Sequence, residues 1–230
     1  MDILKKAQLL LRDPRIQSDS GDFLADCIDA ISGAPLPIAK ILFRVGQSLL
    51  SLGDAIFWRK YQRFLEGVYP TEAEGREFAA KLASDGKSQE NALRLISCID
   101  RADTIQKIDY LINASRTLSV GFIDLPTYFR ICHAIESCIA EDLVFLSDHI
   151  LETEIEYSME VQGLVNAGLM LQTVYDAGGG QQKYGFTELA YYVDRFAVSY
   201  NRVDRYVNPK EPIEFQAPRI EMKNVPAVFS

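Results

Sequence analysis

The stretch "GLMLQTVYDAGGGQQKYGFTELAYYV", residues 168–193, decides how the rest of the chain is read. Gly168 follows a helical pattern, and the apolar run Leu169–Tyr175 is then interrupted by "DAGGGQ" at 176–181. Three consecutive glycines permit positive φ and a tight reversal, so Leu169–Tyr175 and Gln182–Phe186 are expected to form a β-hairpin. Thr187 can cap a final helix whose buried side carries Leu189, Val193, Phe196, Tyr200 and Val203. This is the one place where the spacing of apolar residues abandons the helical period.

Working outward, nearly everything before residue 168 is helical in pattern. Two short helices are expected at 2–12 and 21–32, and a long one over Leu36–Leu65 after Pro35 and Pro37. Thr71 and Glu74 have capping-box spacing, which places a helix over 71–84. Leu93, Ile96 and Ile99 share a face, followed by Ile105, Ile108, Leu111 and Ile112 after a break at Asp100–Asp103. Asp124 can cap a helix with Pro126 in its first turn. From there Leu125, Tyr128, Cys132, Ile135, Ile139, Leu143, Leu146 and Ile150 step by threes and fours, implying one helix of about seven turns or two nearly collinear ones. After Tyr206, Pro209, Pro212, Pro218 and Pro226 exclude a sustained helix. The expected architecture is mainly α: a helical bundle over 1–150, a hairpin-bearing module over 151–206, and an extended tail over 207–230.

Composition narrows the function classes. With 24 basic against 32 acidic residues the net charge is −8, the wrong sign for a general binder of phosphates. The four cysteines, Cys27, Cys98, Cys132 and Cys138, fall in core-forming helical segments and form no disulfide framework. Charges break the short apolar run at the N-terminus, so no signal-peptide pattern is present there, and a reducing cytoplasm is the expected compartment. In 36–65, Lys40, Arg44 and Asp54 interrupt what would otherwise be a spanning run. An interfacial helix presenting Lys40, Arg44, Arg59, Lys60 and Arg63 to anionic lipid is the secondary reading of that segment.

Catalytic and metal motifs fail on inspection. "KLASDGKS" at 81–88 ends like a phosphate-binding loop, but Lys81 stands where the first glycine is required and a helix precedes it. Cys132, His133, Cys138 and His149 would not converge on one ion if they share a helix, because they differ in face and in axial position. Neither histidine has a nucleophile at a defined spacing, and no Gly-x-Ser-x-Gly elbow occurs. No enzyme, cofactor or metal is expected. Asp148, Glu152, Glu156 and Glu160 step by four, and like charges at that spacing are mildly destabilising on a helix. Such a ridge is a candidate surface for a protein partner.

"LVNAGLMLQTVYDAGGGQQKYGFTELA" resembles the end of bacterial winged-helix regulators, in which a helix closing on Leu-x-x-x-Gly-Leu precedes a strand, a wing and a Thr-capped helix. Leu164, Gly168, Leu169, Tyr184, Phe186 and Thr187 match, whereas Ala190 replaces the usual glycine. The resemblance implies a recognition helix at roughly Thr153–Asn166. That segment holds Glu154, Glu156 and Glu160 and no base, and 131–182 contains nine acids without one Lys or Arg. The wing offers only Lys183. DNA is therefore a disfavoured partner, and a regulator would need Arg195, Arg202 and Arg205 to reach a duplex.

The run from "FLEGV" through "ENALRLISCIDRADTIQKIDYLINA" to "FIDLPTYFRICHAIESCIAEDLVFL" is similar to helical proteins of unknown function in bacteria and their prophages, over 36–190. It implies that setting and transfers no activity. The expected function is a non-enzymatic protein-interaction or regulatory factor, in phage–host conflict, using Asp148, Glu152, Glu156, Glu160 and Lys183 together with the proline-containing tail over 207–230. The alternatives are a winged-helix regulator and a membrane-associated effector acting through 36–65. The partner's identity and any homo-oligomer stay open.

Overall fold

The computed structural model describes residues 52–69, 71–176, 180, 182–200, 215 and 217–223. The helices expected at 2–12 and 21–32, Cys27, and the first part of the 36–65 segment lie outside them. The described chain is mainly helical with a small antiparallel sheet. It divides into two compact units, residues 1–125 and 126–230. The boundary expected at 150 therefore falls inside the second unit.

In the first unit α1 (Leu52–Val68), α2 (Glu72–Leu82), α3 (Ser88–Arg101) and α4 (Ile105–Val120) pack together, α1 and α2 each against both α3 and α4. Thr71 caps α2 by accepting from the Glu74 amide, and its hydroxyl donates to the Glu74 carboxylate at 2.7 Å. Thr104 caps α4 in the same way, accepting from the Lys107 amide. The buried face of α3 is Ala92, Leu95, Ile96, Cys98 and Ile99, so Leu95 takes the place expected for Leu93. Phe64 and Phe78 meet edge-on at 6.3 Å in the core, and Tyr69 closes on Phe78 at 6.0 Å.

Lys60, read as a solvated base on a core helix and in the secondary reading as facing lipid, is buried instead. Its ammonium donates to the main-chain oxygens of Asp100 and Ala102 at the end of α3, the latter at 2.8 Å. Helix ends leave carbonyls without intrahelical partners, and a cation is the strongest donor available to them. Arg63 pairs with Asp109 at 2.8 Å. Among the described residues no helix is long and apolar enough to cross a membrane.

The second unit holds α5 (Leu125–Ser137), α6 (Ala140–His149), β1 (Ile155–Glu156), α7 (Met159–Asn166), β2 (Met170–Asp176), β3 (Lys183–Phe186), α8 (Glu188–Val193), a π-helical turn (Asp194–Val198) and β4 (Glu221–Lys223). The stripe read over 125–150 is two helices. Ile139 adopts extended backbone ahead of α6, while Ser137 turns its hydroxyl back onto the His133 oxygen at 2.8 Å. Such back-bonding weakens the last turn, and Glu141 and Asp142 favour a new helix start. The sheet order is β1-β3-β2-β4: β1 and β2 run antiparallel to β3, and β4 runs parallel to β2. The hairpin thus forms where the glycines placed it, with a bulge at Thr173, because Gln172 pairs with Tyr184 and Val174 with Lys183.

The residues shared with winged-helix regulators have structural work to do. Gly168 has φ +74° and donates to the Val165 oxygen, while the Leu169 amide reaches back to Leu164 at 2.8 Å. This is a Schellman closure, with Leu164 and Leu169 supplying its buried apolar contact. Thr187 caps α8 through the Ala190 amide and donates to the Gly168 oxygen at 2.9 Å, tying the end of α7 to the start of α8. The expected helix over Thr153–Asn166 is corrected to α7 alone. In "TEIEYS" Ile155 is buried between exposed Glu154 and Glu156, a period of two that makes a strand. The final helix is also altered: after buried Val193 at the end of α8, its π-turn buries Asp194, Arg195, Phe196 and Ala197 in succession.

Candidate protein-interaction surface

The segment from Asp148 to Glu160 passes from a helix end through a short strand to a new helix, so its four carboxylates do not form the helical ridge expected of them. Asp148 lies in the last turn of α6, Glu152 beyond it, Glu156 in β1 and Glu160 in the first turn of α7. A four-residue step aligns side chains only while the helix continues, and here it stops at His149. Asp148, Glu152, Glu154 and Glu156 are nonetheless all exposed, and Glu160 is partly so.

Local bonds fix the segment. The Glu152 amide donates to the His149 oxygen at 2.8 Å, and the His149 ring stacks on Phe145 with centroids 4.0 Å apart. Ser158 caps α7 by accepting from the Val161 amide. Its hydroxyl also bonds the Glu160 carboxylate, which holds that carboxyl below its ordinary value. Glu160 therefore serves the start of α7 as well as the surface.

Lys183 stands opposite Glu156 in the β1–β3 register and forms an ion pair with Glu154. The hydrogen bond to Glu154, then its charge, then those of Glu156 and Glu221, raise the lysine above its ordinary value. The one base expected on the wing is thus held among carboxylates, which lowers the field it can offer a phosphate. Solvent screens exposed pairs of this kind, so the pair adds little to stability. The structure brings Lys183 together with Glu154 and Glu156, and leaves Asp148, Glu152 and Glu160 outside that cluster.

The sequence reading missed three apolar side chains in the same segment: Leu151 is 80% exposed, Tyr157 57% and Met159 85%. Tyr157 lies against Tyr184 with ring centroids 6.3 Å apart. Their signal was present in "LETEIEYSME", where apolar residues fit neither a helical stripe nor one strand face. Leu151 follows the end of α6, and Met159 opens α7 ahead of its first buried position, Val161.

Two competing site readings meet specific geometry. Arg195, needed to bring the last helix to a duplex, is only 6% exposed and its guanidinium lies 5.4 Å from the centroid of the Phe196 ring; Arg202 and Arg205 lie outside the described residues. Cys132 and Cys138 are buried, and His133 is near Glu136 at 3.8 Å. Among the described residues no group of three or more His, Cys, Asp or Glu side chains is placed to share a metal ion. No family model, curated protein or solved structure matches the chain.

Proposed function

We propose that the protein is a non-enzymatic interaction or regulatory factor whose contact surface is the 148–160 segment. The observation that carries this reading is the exposure of Leu151, Tyr157 and Met159 among the carboxylates of Asp148, Glu152, Glu154, Glu156 and Glu160. Large apolar side chains on an ordered surface, rimmed by charge, are the common make-up of a protein-docking site. The rim selects a basic partner surface, because an acidic one would be repelled during approach. The phage–host setting implied by the sequence resemblance belongs to the same proposal, and a cytoplasmic location is its natural companion.

The test is capture of a partner from a bacterial lysate, with nuclease present, by the native chain and by two variants. One carries Glu152→Lys with Glu156→Lys; the other carries Leu151→Ser with Met159→Ser. The carboxylate pair omits Glu160, whose loss would disturb the start of α7. The expected result is a protein held by the native chain and lost from both variants while their circular dichroism is unchanged. Equal capture by folded variants would place the contact elsewhere.

A further inference from the structure

The β2 edge carries an occupant from distant sequence. Residues 221–223 lie along it, with Glu221, Met222 and Lys223 paired in parallel to Val174, Tyr175 and Asp176, while Pro218 ahead of them lies over Gly185 of β3, on the sheet face. Two side-chain contacts fix its approach. Pro218 sits over Gly185, where an added Cβ would come within 3.0 Å of the proline ring and 3.1 Å of the Thr173 methyl. Phe215 meets the Tyr191 ring edge-on at 5.7 Å. The groove is therefore shaped for an extended peptide with an aromatic residue, a proline three positions on, and then a short strand.

Its present occupant is lightly held. Among the described residues three pair with β2, and Ala217, Arg219, Ile220, Glu221 and Lys223 are exposed. At the bulge beside it, the Thr173 hydroxyl is buried without a hydrogen-bond partner among the described residues. Elements with few buried contacts open at low free energy, and addition of a strand to a sheet edge is a general mode of peptide recognition.

We infer that the β2 edge, with the adjoining face at Gly185 and Tyr191, is a strand-acceptor site for an extended aromatic-x-x-proline peptide of a partner protein, and that Phe215 and residues 217–223 act as an intramolecular strap that competes for it. This deepens the interaction reading but concerns a different surface from residues 148–160. It is tested without the unidentified partner.

The probe is the synthetic peptide IEFQAPRIEMKNV, residues 213–225, labelled with a fluorophore and titrated with the full chain by anisotropy. In the native chain the strap should mask the site. Full-length protein with Phe215→Ala and Pro218→Asp should bind the peptide at least tenfold more tightly. Adding Gly185→Ala should remove that gain by filling the cradle, with thermal unfolding confirming that each variant is folded. Failure of the folded strap variant to bind, or binding unaffected by Gly185→Ala, would overturn the inference. So would a native dimer joined by exchanged tails, which would make a second copy the occupant. Loss of lysate capture through residues 148–160 leaves the peptide result unaffected, so the two proposals fail separately.

Discussion

At the scale of single residues, the glycines show how opposing local effects are weighed. Gly75 lies inside α2, where alanine would ordinarily stabilise a helix by about 1 kcal/mol. Here an added Cβ would overlap the Tyr69 ring. Overpacking costs about 1–3 kcal/mol, so Gly75→Ala is expected to lower the urea midpoint. Gly168 is the converse case, with open space around it but φ +74°. Gly168→Ala should cost about 1–2 kcal/mol through backbone strain alone. Lys60→Met should cost about 1–3 kcal/mol, because it strands the carbonyls of Asp100 and Ala102, and this should appear as a lower midpoint at unchanged slope.

Tyr69 supplies a pH dependence at the same scale. Burial pushes its hydroxyl well above the ordinary tyrosine value. In the unfolded chain the phenol ionises near pH 10, whereas the fold holds it protonated. The unfolded state therefore binds fewer protons at high pH, and the stabilisation, complete below about pH 10, is lost as pH rises further. Tyr69→Phe should move the onset of alkaline unfolding upward, measured by circular dichroism against pH.

At the scale of elements, what could be read in advance followed from rules that act over a few residues. Thr71, Thr104, Ser158 and Thr187 each accept from an amide three positions on, and three of the four begin a segment whose periodicity was already evident. The hairpin was legible because three glycines separate two apolar runs. The break at Ile139 was not, since its apolar residues keep helical spacing across it, and a periodic stripe does not register one extended residue. β1 was missed because two paired residues are too few to establish alternation. Of the candidate surface, the charges are visible in the sequence, whereas the exposed apolar members emerge only when the end of α6 and the start of α7 are known. Thr187 joins two elements, so Thr187→Val should cost about 1–2 kcal/mol and speed hydrogen exchange at both the Gly168 turn and α8.

At the scale of the whole chain, charge is the dominant property. A net −8, with no Lys or Arg between Ile131 and Gln182, opposes any polyanion. At about 0.15 M salt the screening length is roughly 8 Å, so a repulsive face still acts at contact distance. No retained complex with random duplex DNA is expected in a mobility-shift assay under those conditions. A shifted band that weakens with added salt would reveal a basic surface away from 131–182. The winged-helix likeness bears little on this question: Leu164, Gly168, Leu169 and Thr187 close helices and join elements, tasks that any chain with this helix–hairpin–helix order must perform.

The parallel pairing of β4 with β2 also has a consequence in time. The hairpin closes between Val174 and Lys183, whereas the strap closes between Val174 and Glu221, a loop about five times as long and so entropically slower to form. Synthesis reinforces the order, because Phe186 is made before Glu221 by an interval of roughly 2–7 s at about 5–20 residues per second. A nascent chain can complete its hairpin while the adjoining edge is still bare. A ligand made beside it on the same messenger could reach that edge before the chain's own strand exists, and assembly would then be decided by the order of arrival instead of by affinity alone.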